Sequence, residues 1–102
     1  MTDRRLTVRA TAGFFQDLDR QLGAERGPNG EPSTSDFQVF ELFRVVERFA
    51  IGFFDLPELH PGQPEARVLI AAGMVVPRFS VVGVLATDGA VELVQLDIDL
   101  TW

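Results

Sequence analysis

Three apolar runs occupy the second half of the chain, separated only by short turn signals. Ala66-Arg67-Val68-Leu69-Ile70-Ala71-Ala72 closes at Gly73. A longer run extends from Val75 to Ala86, and the last from Val91 to Leu100. Thr87-Asp88-Gly89-Ala90 carries the Asp-Gly pair that favours a tight hairpin. Hairpin turns join antiparallel strands, so the spacing predicts a three-stranded antiparallel meander. Pro77 has no amide to give a ladder and is expected at a strand start or a bulge. Gly83 is expected to mark a kink or a close packing contact.

The first half reads differently. Arg5-Leu6-Thr7-Val8-Arg9-Ala10 alternates apolar and polar residues, the pattern of a half-buried strand. Phe14, Phe15, Leu18 and Leu22 then fall at helical spacing, predicting a helix from Ala12 to Leu22 stopped by Gly23. GAERGPNGEPSTS, residues 23–35, has no periodicity and reads as a long surface loop. Ser35 stands three residues before Gln38, the spacing of a capping box, with Asp36 in the first turn. A second helix is therefore expected from Asp36 to Phe54, ended by Leu56-Pro57. Its polar positions, Glu41, Arg44, Glu47 and Arg48, form one narrow stripe. The remainder is more apolar than a one-faced surface helix requires. Either two faces are covered within the domain, or Phe37, Phe40, Phe43, Phe49 and Phe53 include an interface with another chain.

Strand, helix, helix, then three strands predicts an α+β domain with helices on one face of a mostly antiparallel sheet. The first strand must return to that sheet to bury Leu6 and Val8. At 102 residues the chain is expected to be a single domain, residues 1–102. Its 46% hydrophobic content and nine Phe supply a core without staples. No Cys is present, which removes disulfides and thiolate metal sites. No apolar run approaches a membrane span and MTDRRLTVRATAG has no secretory apolar segment, so a cytoplasmic location is expected.

Charge narrows the partners. The net charge is −6, and every base is Arg. Residues 1–26 hold Arg4, Arg5, Arg9, Arg20 and Arg26, whereas no base follows Val81. Nucleic-acid surfaces draw affinity from basic stripes, so nucleic acid is disfavoured as a partner.

The candidate chemistry is sparse. Asp97 and Asp99 share one face of the last strand with Gln95, opposite Val94, Leu96, Ile98 and Leu100. The pair could share a metal ion, but two carboxylates supply too few oxygens for Mg²⁺ or Ca²⁺. Their simpler reading is the solvated face of a strand, with Glu92 facing the other way unless a bulge turns it. His60 is the lone histidine and sits beside Pro61. The serines stand in a loop, at a helix cap and in a strand, without the partners of a nucleophilic site. RGPNGEP lacks the GK[ST] of a phosphate loop. No cofactor is implied.

One family resemblance covers most of the chain. LTVRATAGFFQDLDRQL, the link FDLPEL, ARVLIAAG and VVGVLATDGAVELVQL together resemble the RelE/ParE toxin superfamily of bacterial toxin–antitoxin systems. The resemblance implies a strand, a helical hairpin and an antiparallel meander. It also implies a small antitoxin-like partner, a homodimer being the alternative. The family's ribosome-dependent ribonucleases use Arg, Lys, Tyr or His on the sheet, and this chain has neither Lys nor Tyr. Arg67 and Arg78 are the candidates for such a site. Ion pairs with Glu65, Glu92 or the Asp face are the alternative for both. The gyrase-inhibiting branch requires no such set. Three readings stay open: a non-catalytic domain acting by protein–protein contact, an mRNA-cleaving toxin, and a structural homodimer.

Overall fold

The computed structural model describes residues 5–101. Arg4 of the N-terminal arginine group lies outside them. β1 (Val8–Ala10) leads into α1 (Ala12–Gln21). The second helical segment is α2 (Thr34–Phe37), a π-helical stretch (Gln38–Leu42), α3 (Phe43–Gly52) and a 3₁₀ turn (Phe53–Asp55). The meander is β2 (Ala66–Ala72), β3 (Arg78–Leu85) and β4 (Val91–Asp99). The four strands form one sheet in the order β1-β4-β3-β2.

The meander follows the predicted hairpins. β2 pairs with β3 and β3 with β4, both antiparallel. Gly89 takes φ 89° in the β3–β4 turn, where Ala86 donates to the Ala90 carbonyl at 2.7 Å. Only a residue without Cβ adopts that conformation cheaply. Pro77 lies immediately before β3, where it removes no ladder bond. The second apolar run accordingly becomes strand only from Arg78, not from Val75.

β1 returns to the sheet and pairs parallel with β4, Val8 opposite Val91 and Ala10 opposite Leu93. α1 then takes over where β1 stops. Asp17 Oδ2 accepts the Leu96 amide at 3.0 Å. Gln21 Nε2 donates to the Leu96 carbonyl at 2.7 Å, and Gln21 Oε1 accepts the Ile98 amide at 2.6 Å. These side chains satisfy a strand edge that would otherwise be left bare.

The helices sit on one face of the sheet. Phe14 and Leu18 of α1 meet Phe37, Phe49 and Phe53 of the second segment above Val81, Val91, Leu93 and Leu96. Phe37 contacts Phe79 edge to face, with ring centroids 5.3 Å apart. Gly83 is a close-packing site, since a Cβ there would run into the Phe49 ring and approach Val91 Cγ1 at 3.1 Å.

Several expectations change at the element ends. Ser33, not Ser35, caps the second segment. Its hydroxyl accepts the Asp36 amide at 3.1 Å, and the Asp36 carboxylate accepts the Ser33 amide at 2.9 Å. Asp36 closes this box better than Gln38 because its charge also complements the helix N-terminus. The preceding loop is pinned by Thr34 N–H to the Gly23 carbonyl at 2.9 Å and by the Arg26–Asp36 ion pair. Arg26 and the Ser33 amide together hold the Asp36 carboxyl well below the usual carboxylate range.

Candidate functional site

The second helical segment is not uniform, and its irregularity decides what it exposes. A π turn inserts an extra residue and shifts the angular phase of everything after it; such turns recur at functional sites. Here it lies at Gln38–Leu42. Glu41, read from the sequence as part of a polar stripe, is fully buried. Its Oε2 accepts the Val75 amide at 2.9 Å, and its Oε1 accepts from Arg44 Nη1 at 3.2 Å. A Cβ at Gly73 would collide with the same carboxylate, so Gly73 makes room for it. Glu41 thereby ties the helix to the β2–β3 turn.

Several apolar residues of this segment face outward. Val39, Phe40, Phe43 and Ile51 are exposed, Phe43 at 70% of its surface. Ile70 on β2 and Met74 in the following turn are exposed as well. Of the five phenylalanines proposed as an interface, Phe40 and Phe43 reach the surface. Phe37, Phe49 and Phe53 pack into the chain's own core.

Between α3 and β2 runs a groove of about 740 Å³. Phe43, Arg44, Arg48, Ile51 and Asp55 line one side, and Leu69, Ile70 and Ala71 the other. Among the described residues, part of the outer edge of the strand bordering it has no backbone partner. Leu85 donates to the Glu65 carbonyl and Gly73 to the Pro77 carbonyl, so odd-numbered residues of β2 bond towards β3. Even-numbered residues therefore offer N–H and C=O to the outer edge. The segment Pro57–Leu59 takes part of that edge: Leu59 donates to the Ala66 carbonyl and Val68 to the Pro57 carbonyl. Ile70 lies beyond this cover, with its side chain exposed at 66%.

Arg67 and Arg78 are not brought together. Arg67 is buried and its donors are spent on carbonyls. Nε donates to Pro64 at 2.7 Å, and Nη1 to Leu56 at 2.8 Å and Phe54 at 3.1 Å. The guanidinium carbon lies 5.6 Å from the ring centroids of Phe53 and Phe54, and Glu58 rather than Glu65 or Glu92 is its acid neighbour at 3.9 Å. It ends the helix and fastens it to β2. Arg78 is exposed and pairs with Asp99 at 3.0 Å.

The acidic face of β4 gains Glu92 through the bulge on which the sequence reading made its orientation depend. The β3–β4 register shifts at Val82/Gly83, leaving Val94 as the extra residue. That bulge turns Glu92 onto the same face as Gln95, Asp97 and Asp99. Glu92 pairs with Arg9 at 3.1 Å. The Thr101 amide and Arg78 hold the Asp99 carboxyl down at about 2. Asp97 stands opposite Ser80. Among the described residues, no group of three or more His, Cys, Asp or Glu is placed to hold a metal ion. His60 lies exposed in the loop before β2. No helix of the described residues is long and apolar enough to cross a membrane.

Sequence reasoning missed Glu41, because only the π turn distinguishes it from Arg44 and Glu47 on the expected stripe. No family model, curated protein or solved structure matches this chain.

Proposed function

We propose that this chain is a small, non-catalytic RelE/ParE-like domain that acts by protein–protein contact, either toxin-like or as a partner-bound module. One observation carries the reading: exposed apolar side chains of the second helical segment border a groove and a bare stretch of strand edge. Apolar side chains exposed along a groove suit the docking of another protein, and an unpaired strand edge adds main-chain hydrogen bonds to whatever docks there. The alternative, an mRNA-cleaving toxin using Arg67 and Arg78, has less support. Arg67 presents its donors to carbonyls of its own chain, and Arg78 is neutralised by Asp99.

A photoreactive residue placed at Phe43 tests the reading in cells expressing the chain. Protein adducts should form there and not from Thr87, in the exposed turn between β3 and β4. Absence of any adduct at position 43 would sink the contact reading.

A further inference from the structure

We propose that Asn29 is a self-modification site, where the Gly30 amide nitrogen displaces the side-chain amide and leaves aspartate or isoaspartate. The inference is independent of the protein-contact reading above. Two turns of this chain share one pattern of backbone closure. In residues 27–31 the Gly27 amide donates to the Glu31 carbonyl at 2.9 Å, and Gly30 donates to the Gly27 carbonyl at 3.1 Å. In residues 86–90 Ala86 donates to the Ala90 carbonyl at 2.7 Å, and Gly89 to the Ala86 carbonyl at 2.9 Å. Gly30 and Gly89 take φ 83° and 89°. Each glycine follows a residue that can cyclise onto it, Asn29 or Asp88, and a glycine leaves the attacking nitrogen unshielded.

The turns differ in what restrains that side chain. Asp88 accepts from Arg9 at 2.9 and 3.3 Å and from the Ala90 amide at 3.1 Å. Its turn is also clamped by the β3–β4 ladder, which begins at Leu85 and Val91. Asn29 is exposed, and among the described residues no hydrogen bond engages its side chain. Its turn lies in the connection between α1 and α2 rather than at the end of a ladder. A Cβ at Gly30 would meet nothing within 4 Å, so the space around the glycine is open. The Gly30–Gly27 bond has to open before attack, which costs little in an exposed turn.

The chemistry needs only water. The deprotonated Gly30 nitrogen bonds to Asn29 Cγ, the Cγ–Nδ2 bond breaks, and ammonia departs with the proton that Gly30 lost. Water then opens the resulting succinimide at one carbonyl or the other. One opening gives aspartate; the other gives isoaspartate, with the backbone running through the side-chain carbonyl. Either product adds one negative charge to a chain at −6. Isoaspartate also lengthens the backbone inside the turn by one carbon, so its two closing bonds cannot both persist. The Thr34–Gly23 bond and the Arg26–Asp36 pair lie outside the turn and keep the loop attached.

Incubating the purified full chain at mildly alkaline pH, both native and unfolded in urea, tests this. Asn29 is the only Asn in the sequence, so one proteolytic peptide reports it. Peptide mass follows the change from amide to acid, and methylation by an isoaspartyl carboxyl methyltransferase counts isoaspartate. The native chain should lose the amide within about tenfold of the rate in urea, because an exposed turn opens at little cost. The rate should rise with pH, since the attacking nitrogen is the deprotonated one. Isoaspartate should accumulate in the Asn29 peptide ahead of the Asp88 peptide. Asn29→Gln, whose longer side chain would close a larger ring, should end the reaction at this position. An amide that persists in the native chain while the unfolded chain loses it overturns the proposal, and so does one that persists in both. Isoaspartate forming at Asp88 as fast as at position 29 overturns it too, because the side-chain restraint would then decide nothing.

Discussion

Glu41 Oε2 accepts the Val75 amide at 2.9 Å across 34 positions of sequence, linking the π turn to the β2–β3 turn. The side chain is fully buried and both its oxygens have donors, as buried polar atoms require. This bond fixes the phase of the second helical segment, because the side chain reaches Val75 only from the inner face. The same phase leaves Phe40 and Phe43 outside.

Removing that tie should loosen both partners. Glu41→Ala strands the Val75 amide and is expected to cost about 1–3 kcal/mol. Urea titration measures the loss, and amide exchange at Val75 should accelerate. Glu41→Gln keeps an acceptor and should cost less. Equal losses for the two variants would count against the hydrogen bond as the source.

Arg67→Ala should be among the more damaging single changes. It frees the carbonyls of Phe54, Leu56 and Pro64 and empties the space between two Phe rings. A loss of about 3 kcal/mol is expected, since bonds to a charged donor exceed neutral ones. Thermal melting of Arg67→Ala beside Arg78→Ala provides the contrast. Arg78 is exposed in a single surface pair and should cost under about 1 kcal/mol.

Gly83→Ala places a methyl against Phe49 and Val91 beside the bulge. Overpacking of this kind costs about 1–3 kcal/mol. A lowered midpoint in urea, with altered ring resonances for Phe49, is the expected result. An unchanged midpoint would mean that the bulge absorbs the methyl.

Acid should weaken the fold through Asp17 and Asp36. The Leu96 amide, then Arg20, holds the Asp17 carboxyl below its ordinary value; Arg26 and the Ser33 amide do the same for Asp36. Folded-state values below the unfolded ones mean that the stabilisation is full above the unfolded value, near pH 4, and is lost as pH falls below it. Chemical melts from pH 6 to about pH 2 should show the decline. Asp17→Asn should reduce its slope.

The sequence by itself determined the elements and their order. β2 runs from Ala66 to Ala72 as its apolar run predicts, and α1 fills the interval between Thr11 and Leu22. The Asp88-Gly89 turn sits where its dipeptide requires. These features come from local propensity, and a linear pattern encodes them directly. The tertiary structure decided which side chains face outward. Two one-residue irregularities did so: the π turn buries Glu41, and the bulge at Val94 adds Glu92 to the acidic face. Both shift phase, and a phase shift leaves composition and spacing unchanged. Long-range partners decided the rest. Arg67 became a structural clasp because Phe54, Leu56 and Pro64 present their carbonyls to it in space. Glu41 turned inward because its donor lies on a turn that the sequence places 34 residues away.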